Sequence, residues 1–192
     1  MPPTIIFVNG LPATGKSTLA GKLGAALGLP VFGKDQIKET LFDTLGWGER
    51  AWSRKLGAAS MAVLFRMLEN ELAAGRSCIA ESNFHPELST QQVQALQQRY
   101  QFQCIQVLCV TDGAVLQQRY RARVANNSRH PGHMDVILED ELADELRTGR
   151  VDPMPLDGPL IEIDTTRLRY ADIRSVRDQL AALLGASSEP AA

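Results

Sequence analysis

The sequence predicts one α/β domain with a five-stranded parallel sheet that is covered by helices on both faces. Its 192 residues fit a single domain with one core. Five short apolar runs alternate with helical segments, which is typical of a parallel sheet with crossover helices. The first run, residues 4–9 (TIIFVN), is apolar almost throughout, as expected of a strand buried on both faces. Ligands of such sheets bind at the carboxyl ends of the strands, so we expect the functional residues there.

The predicted elements follow one another along the chain. The strands are predicted at residues 4–9, 29–33, 77–80, 103–110 and 160–164. Six helices are predicted at residues 15–27, 35–45, 49–74, 86–100, 134–146 and 170–184. A further helix begins at about residue 112 and carries the arginines at positions 119, 121 and 123. Gly28 and Gly75 are suited to end the first and third helices. Thr111 or Asp112 could cap the helix after the fourth strand. We expect residues 1–185 to form the domain and residues 186–192 to form a flexible tail.

Composition excludes some classes of protein. Lys and Arg number 20 and Asp and Glu number 22, which gives a net charge of −2, so a large basic field for duplex nucleic acid is absent. Three cysteines cannot all pair within one chain, and each lies in an apolar run, which favours buried free thiols and a reducing compartment. The sequence shows neither a signal-peptide pattern nor a stretch long enough to cross a bilayer. We therefore expect a soluble cytoplasmic protein with no membrane partner, and the oligomeric state stays open.

The segment Gly10-Leu-Pro-Ala-Thr-Gly-Lys-Ser17 matches the phosphate-loop pattern G-x-x-x-x-G-K-[ST]. It lies between an apolar strand and a helix, as the pattern requires. Its glycines allow the chain to curl around an anion, and backbone N–H groups and the start of the helix then face the phosphates. The predicted nucleotide-binding residues in this loop are Gly10, Leu11, Pro12, Ala13, Thr14, Gly15, Lys16, Ser17 and Thr18.

Two side chains of this loop have separate predicted roles. Lys16 is expected to reach the β- and γ-phosphates of a nucleoside triphosphate, and the Ser17 hydroxyl to bind Mg²⁺. The residues do not decide between ATP and GTP, because contacts with the base would be made largely by the main chain.

The chain resembles the small P-loop kinases, a group that includes polynucleotide 5′-kinases, chloramphenicol phosphotransferase, gluconate kinase and zeta toxins. Residues 7–19 (FVNGLPATGKSTL), 33–42 (GKDQIKETLF) and 116–133 carry the resemblance. It implies a three-layer P-loop fold, an ATP–Mg²⁺ donor complex, an acceptor site, and an arginine-bearing lid over about residues 116–134.

Within this resemblance, Asp35 faces the acceptor hydroxyl and acts as general base or orienting group. The alternative is that Asp35 only caps a helix. Lys38 lies where polynucleotide kinases have an arginine, and it could bind a phosphate of the acceptor. A lysine lacks the bidentate fork of arginine, which weakens the case for a polynucleotide 5′ end. The alternative for Lys38 is a solvated helix charge.

Glu81 ends the third strand, where related kinases often have an aspartate near Mg²⁺ or the acceptor. Because glutamate is longer than aspartate, the sequence does not decide whether Glu81 contacts Mg²⁺ or the acceptor. Asn83, in the loop that follows, is predicted to contact the acceptor.

Three arginines form the candidate lid. Arg119 and Arg123 are four residues apart and should share a helix face, and Arg129 follows in the polar loop at residues 126–133. Mobile arginines can neutralise the transferring phosphoryl group, and Arg123 is the first choice and Arg119 the second for this role. Arg129 is predicted to bind the acceptor, and Arg119 and Thr165 the nucleotide. The alternative is a solvated basic helix.

The sequence therefore predicts an ATP-dependent phosphotransferase that uses Mg²⁺ and acts on a hydroxyl of a small molecule. A polynucleotide 5′-hydroxyl kinase is the alternative within the same enzyme class. An ATPase without acceptor, or a nucleotide-binding regulatory module, remains a further alternative.

Overall fold

The structure is a computed structural model, and it describes residues 2–167 and 169–186. The strands are β1 (Thr4–Gly10), β2 (Val31–Gly33), β3 (Cys78–Glu81), β4 (Gln103–Val110) and β5 (Leu160–Asp164). The helices are α1 (Lys16–Leu27), α2 (Lys34–Leu45), α3 (Arg50–Ala73), α4 (Pro86–Gln97), α5 (Gly113–Ala125), α6 (Asp135–Glu141), α7 (Ala143–Thr148) and α8 (Tyr170–Ala186), with a 3₁₀ turn at Pro131–His133. Apart from residue 186, the predicted tail lies outside the described residues.

The five strands form one parallel sheet in the order β2-β3-β1-β4-β5. The predicted fold class is therefore confirmed. Strand β1 lies at the centre, with Val8 opposite Glu81 on one side and Gly10 opposite Cys109 on the other. The loop that follows β1 consequently emerges between the carboxyl ends of β3 and β4.

Alternation of side chains along the strands divides the core between the two faces of the sheet. On one face, Ile6 and Val8 pack against residues of α1 and α8, such as Leu23 and Leu180. On the other face, Ile5 and Phe7 pack against residues of α3 and α4; this cluster includes Leu64, Leu68 and Val93. Both clusters are almost completely buried, so the strands hold the loops at their carboxyl ends in fixed positions.

A smaller cluster lies beside the sheet, where Leu11 of the loop after β1 contacts Leu116, Tyr120 and Leu146 of α5 and α7. The end of α7 packs closely on the start of α5. A Cβ atom on Gly149 would lie 1.9 Å from the carbonyl oxygen of Thr111. The helices that carry the candidate lid are therefore anchored directly to the loop after β1.

The elements differ from prediction mainly at their ends. The helix predicted at residues 134–146 is two short helices, α6 and α7, which meet at Leu142. Strand β3 extends to Glu81, and α4 ends at Gln97 rather than at residue 100. Asp112 caps α5 by accepting a hydrogen bond from the Val115 amide.

The three cysteines are free and buried, as predicted. Among the described residues, no helix is long and apolar enough to cross a membrane.

Candidate active site

The loop after β1 has the backbone of an anion cradle. Ala13 and Gly15 both adopt positive φ angles, 67° and 86°. Gly10 has a φ of 155°, and a Cβ atom there would lie 2.8 Å from the carbonyl oxygen of Cys109. The buried hydroxyl of Thr14 closes the curve by donating to the carbonyl oxygen of Leu11 at 2.9 Å. Helix α1 begins directly afterwards, so its unpaired N–H groups and the positive end of its dipole face the cradle.

We expect Gly10→Ala to lower the free energy of unfolding by about 1–3 kcal/mol, because the new methyl group meets the backbone of β4. The variant should therefore unfold at a lower urea concentration than the wild type. Its affinity for a nucleoside triphosphate should fall at the same time. Gly21→Ala is the matched control, since a Cβ atom there, within α1, meets nothing within 4 Å. That variant should gain about 0.5–1 kcal/mol. Equal stability of the two variants would contradict this account of the loop.

Lys16 and Glu81 form a buried pair at the mouth of the cradle. The Nζ atom of Lys16 lies 3.8 Å from Glu81 Oε1 and 3.4 Å from the carbonyl oxygen of Leu11. Burial lowers the pKa of Lys16 and raises that of Glu81, and the attraction between the two opposes both shifts. The Ser17 hydroxyl also opposes the rise in the pKa of Glu81. A cation and a carboxylate that are poorly solvated interact strongly with any new charge brought between them.

Asp35 lies in the first turn of α2, across the cavity from the cradle. The position before α2 is occupied by Gly33, with no side-chain cap, so Asp35 is not the capping residue. Its carboxylate contacts the guanidinium of Arg129, and Lys34 Nζ lies 3.3 Å away. Burial alone would raise the pKa of Asp35, but the charges of Arg129, Lys34 and Lys16 outweigh it and hold that pKa well below its usual range. Asp35 is therefore ionised at neutral pH.

Residues 126–134, together with α5 and α6, contain most of the segment predicted as a lid, and in the structure this segment is docked on α2. Arg129 reaches from the lid to Asp35 and lies 3.2 Å from Asp135 and 4.0 Å from Glu39. Arg123 Nε is 3.0 Å from the other oxygen of Asp135. Two of the predicted arginines therefore enter the site from the lid, and Asp135 holds both.

One cavity of about 440 Å³ gathers most of these groups. Of the predicted residues, it is lined by Ala13, Gly15, Lys16, Ser17, Thr18, Asp35, Glu81, Arg123 and Arg129. Gln36 and Glu39 line it as well, and sequence reasoning missed them. Glu39 could have been found, because it lies one helical turn after Asp35 and so shares its face.

Arg119 is not brought to this cavity. Its guanidinium donates to the carbonyl oxygens of Thr165 and Thr166, at 2.9 and 2.8 Å. Arg119 and Arg123 were expected to share a helix face, but their side chains reach different partners, Arg119 toward the turn after β5 and Arg123 toward Asp135. Thr165 is buried, and its hydroxyl lies 2.6 Å from that of Thr111. Arg119 and Thr165 therefore form one cluster at the turn after β5, next to the start of α5.

Lys38 is not a solvated helix charge. It is 7% exposed, and its Nζ atom donates to Ser53 Oγ at 3.0 Å. Burial lowers the pKa of Lys38 to about 8, and the positive charges of Lys34, Arg129 and Arg50 add to this, while Asp35 opposes it. A phosphate group of an acceptor could reach this ammonium only if α2 and α3 separated.

The buried lysine has a consequence for stability. Below about pH 8, Lys38 is charged in the folded protein, and its burial then lowers the free energy of unfolding. In the unfolded chain its pKa is near 10.5. The unfolded state binds more protons between these values, so stability rises with pH from about 8 to 10.5. We expect Lys38→Met to remove this part of the rise, which amounts to at most about 2 kcal/mol between pH 7.5 and 9.5, in urea unfolding at these two pH values. Parallel pH dependences of both proteins would contradict it.

Asn83 lines a different space, a cleft of about 970 Å³ between α3 and α4. Arg54, Gly57, Met61 and Gln92 also line it. None of the described residues that line this cleft is acidic. Asn83 follows Glu81 by two positions, so the cleft begins next to the carboxyl end of β3.

A parallel sheet with a phosphate loop after its central strand and arginines held above that loop defines a kinase-like P-loop domain. Residues 5–144 match the family model of the AAA domain, and the chain belongs to that family.

A Chloroflexus aurantiacus J-10-fl protein that is provisionally assigned as a kinase has 39% sequence identity over 95% of this chain and 98% of its own, with a TM-score of 0.88. The predicted resemblance to the small P-loop kinases is thereby confirmed.

Two more distant structures show the same fold. A sugar kinase from Janibacter sp. HTCC2649 has 12% identity and a TM-score of 0.58, with 94% of this chain and 95% of that chain covered. A gluconokinase from Sinorhizobium meliloti 1021 has 14% identity and a TM-score of 0.54, with 98% of each chain covered. Comparison with curated proteins gave no significant match.

Proposed function

We propose that this protein is a kinase that transfers the γ-phosphoryl group of ATP, bound with Mg²⁺, to a hydroxyl of a small molecule. One observation carries the proposal: a single cavity is lined by Lys16 and Ser17 from the cradle, Asp35 from the start of α2, Glu81 from the end of β3, and two arginines of the predicted lid. A protein that only binds a nucleotide has no need of a carboxylate opposite the phosphates. We take residues 1–185 as one kinase domain. The three free thiols favour the reducing environment of the cytoplasm.

The residues present fit a magnesium–phosphate complex. Ser17 and Glu81 supply a hydroxyl and a carboxylate, the oxygen ligands that Mg²⁺ prefers, and both line this cavity. The described residues hold no group of three or more acidic, histidine or cysteine side chains that could bind a metal by themselves. That agrees with Mg²⁺ being held through substrate phosphates plus one or two protein ligands. When bound, the ion would neutralise phosphate charge.

Asp35 is suited to orient the acceptor. Its ionised carboxylate can accept a hydrogen bond from the acceptor hydroxyl and aim that oxygen at the γ-phosphorus. As the new O–P bond forms and the bond to the β-phosphate oxygen breaks, the hydroxyl proton passes to Asp35 and ADP leaves with the electron pair. A low pKa favours orientation over early removal of the proton.

Lys16, Arg123 and Arg129 supply the positive charge for this transfer. Lys16 is 6% exposed, so its charge is little screened by water. Arg123 lines the cavity, and its buried Nη2 atom has no hydrogen-bond partner among the described residues. Its Nε atom lies 3.0 Å from Asp135 but is not aligned for a hydrogen bond with that carboxylate. A phosphate oxygen would satisfy these donors, which supports a role for Arg123 at the transferring group.

The cleft between α3 and α4 is the proposed place for the body of the acceptor. Its lining combines the cation of Arg54 with amides and the apolar side chains of Met61 and Leu88. This lining favours a neutral or anionic molecule over a polycation. The burial of Lys38 withdraws the residue that matches the polynucleotide-kinase arginine from an acceptor phosphate, which supports the small-molecule acceptor.

The test is a transfer screen with γ-labelled ATP and Mg²⁺ over sugars, nucleosides, antibiotics and 5′-hydroxyl oligonucleotides. We expect labelled product with a neutral or anionic small molecule, and none with Lys16→Ala. Label in an oligonucleotide would favour the polynucleotide alternative. Release of phosphate without acceptor would indicate an ATPase. Binding without turnover throughout the screen would indicate a regulatory module.

A further inference from the structure

A buried hydrogen-bond chain joins α2 to the lid through α3. Lys38 Nζ donates to Ser53 Oγ at 3.0 Å, and Ser53 Oγ donates to the carbonyl oxygen of Gly132 at 2.9 Å. Lys38 and Ser53 are 7% and 1% exposed, and Gly132 is buried. None of these three groups contacts the substrates in the proposed reaction, so the proposed reaction does not account for these hydrogen bonds.

Lys38 fixes the direction of these two hydrogen bonds. A charged lysine can donate but cannot accept, so Ser53 must accept from it. The one proton of the Ser53 hydroxyl is then free to point at Gly132. A lysine here therefore selects the rotamer of Ser53 that holds the lid, whereas a serine alone could turn back to a carbonyl oxygen of its own helix.

Packing beside the chain fixes the lid in the same place. The ring of Phe42 stacks on His130, with centroids 5.0 Å apart, and meets the edge of His133 at 5.4 Å. A Cβ atom on Gly132 would lie 2.7 Å from the Phe42 ring, so a glycine is needed for its carbonyl to reach Ser53. His133 Nε2 lies 2.9 Å from Glu39. Residues 130–133 thus fit α2 closely.

Arg129 directly precedes this docked segment. Its guanidinium can meet Asp35 and Glu39 only while the segment lies against α2. We propose that Lys38 and Ser53 are positioning residues that act through the Gly132 carbonyl to hold Arg129 in the catalytic cavity. The expected effect of Lys38 and Ser53 on turnover rests on the proposed function. Their expected effect on the position of residues 129–134 does not.

A buried lysine without a contacting carboxylate is costly, and a methionine of similar length would fill the same space. Stability alone therefore does not account for Lys38. Lys38→Met should make the whole protein more stable at neutral pH while the lid becomes looser. A purely structural lysine would not give this combination.

The first measurement is hydrogen–deuterium exchange of residues 129–134 in the nucleotide-free protein. Ser53→Ala and Lys38→Met should each speed exchange there by about tenfold, which corresponds to about 1.4 kcal/mol. Ser53→Thr and Lys38→Gln should stay near the wild-type rate, because they keep the hydroxyl and a donor. Ser60→Ala is the matched control, since Ser60 is buried in α3 and donates to Leu56 of its own helix.

The second measurement is the single-turnover transfer rate with saturating nucleotide. Ser53→Ala should lower this rate about tenfold and leave the KM for nucleotide within twofold, because the cradle is untouched. In an Arg129→Gln background, Ser53→Ala should have no further effect. An equal loss in both backgrounds, or unchanged exchange of the lid in Ser53→Ala, would overturn the proposal. If no acceptor is phosphorylated but exchange responds as expected, the proposed function fails and the positioning role stands.

Discussion

Lys16→Ala should lose at least about a thousandfold in the rate of phosphoryl transfer. Lys16 is buried at the mouth of the cradle, 3.8 Å from Glu81. A charge that is screened so little by water stabilises the transferring phosphoryl group strongly, and a thousandfold corresponds to about 4 kcal/mol. No other described lysine lines this cavity, so a second lysine is not placed to replace it.

The same substitution should change the fold little. Without Lys16, Glu81 loses its partner, but burial already raises the pKa of Glu81, and the carboxyl group can become neutral. The thermal unfolding midpoint should therefore stay within a few degrees of wild type. Lys22→Ala is the matched control, because Lys22 is exposed on the same helix. A Lys16→Ala protein that transfers phosphate within tenfold of the wild-type rate would remove the basis of the assignment.

Patterns local in sequence predicted most of this site. The phosphate loop is contiguous, and its glycines are required by its own backbone, so Gly10 to Ser17 could be recognised without a structure. The parallel sheet follows from the alternation of apolar runs and helices, and it places Glu81 and Asp35 beside that loop. These inferences need only the geometry of neighbouring residues and of sheet edges.

Contacts between distant segments could not be predicted in this way. Periodicity put Arg119 and Arg123 on one face of a helix, but long side chains reach in different directions and find separate partners, 46 residues away for Arg119. Asp135 holds two arginines, yet nothing in its sequence surroundings marks it. The sequence around Lys38 does not reveal its burial, because Ser53 of α3 and Gly132, which lie over it, are distant along the chain.

Asp35→Asn should lower kcat by about a hundredfold to ten-thousandfold, the range that a positioned base or orienting group contributes. The asparagine keeps the size of the side chain and can hydrogen-bond the acceptor, but it cannot take its proton. Binding of ATP should change by only a few fold, because the cradle and Lys16 are unaltered. Steady-state kinetics and nucleotide titration together separate these effects, once the acceptor has been found.

Asp35→Asn could also lower kcat by releasing Arg129, because Asp35 is one of the partners of that arginine. Asp135 lies 3.2 Å from the guanidinium and Glu39 4.0 Å, so two carboxylates remain to hold the lid when Asp35 is neutralised. Glu39→Gln tests this directly, because it removes a partner of Arg129 and leaves Asp35 in place. We expect it to cost less than tenfold in kcat. If Asp35→Asn costs no more than Glu39→Gln, then Asp35 serves the lid rather than the acceptor, and the acceptor hydroxyl must be oriented by another group.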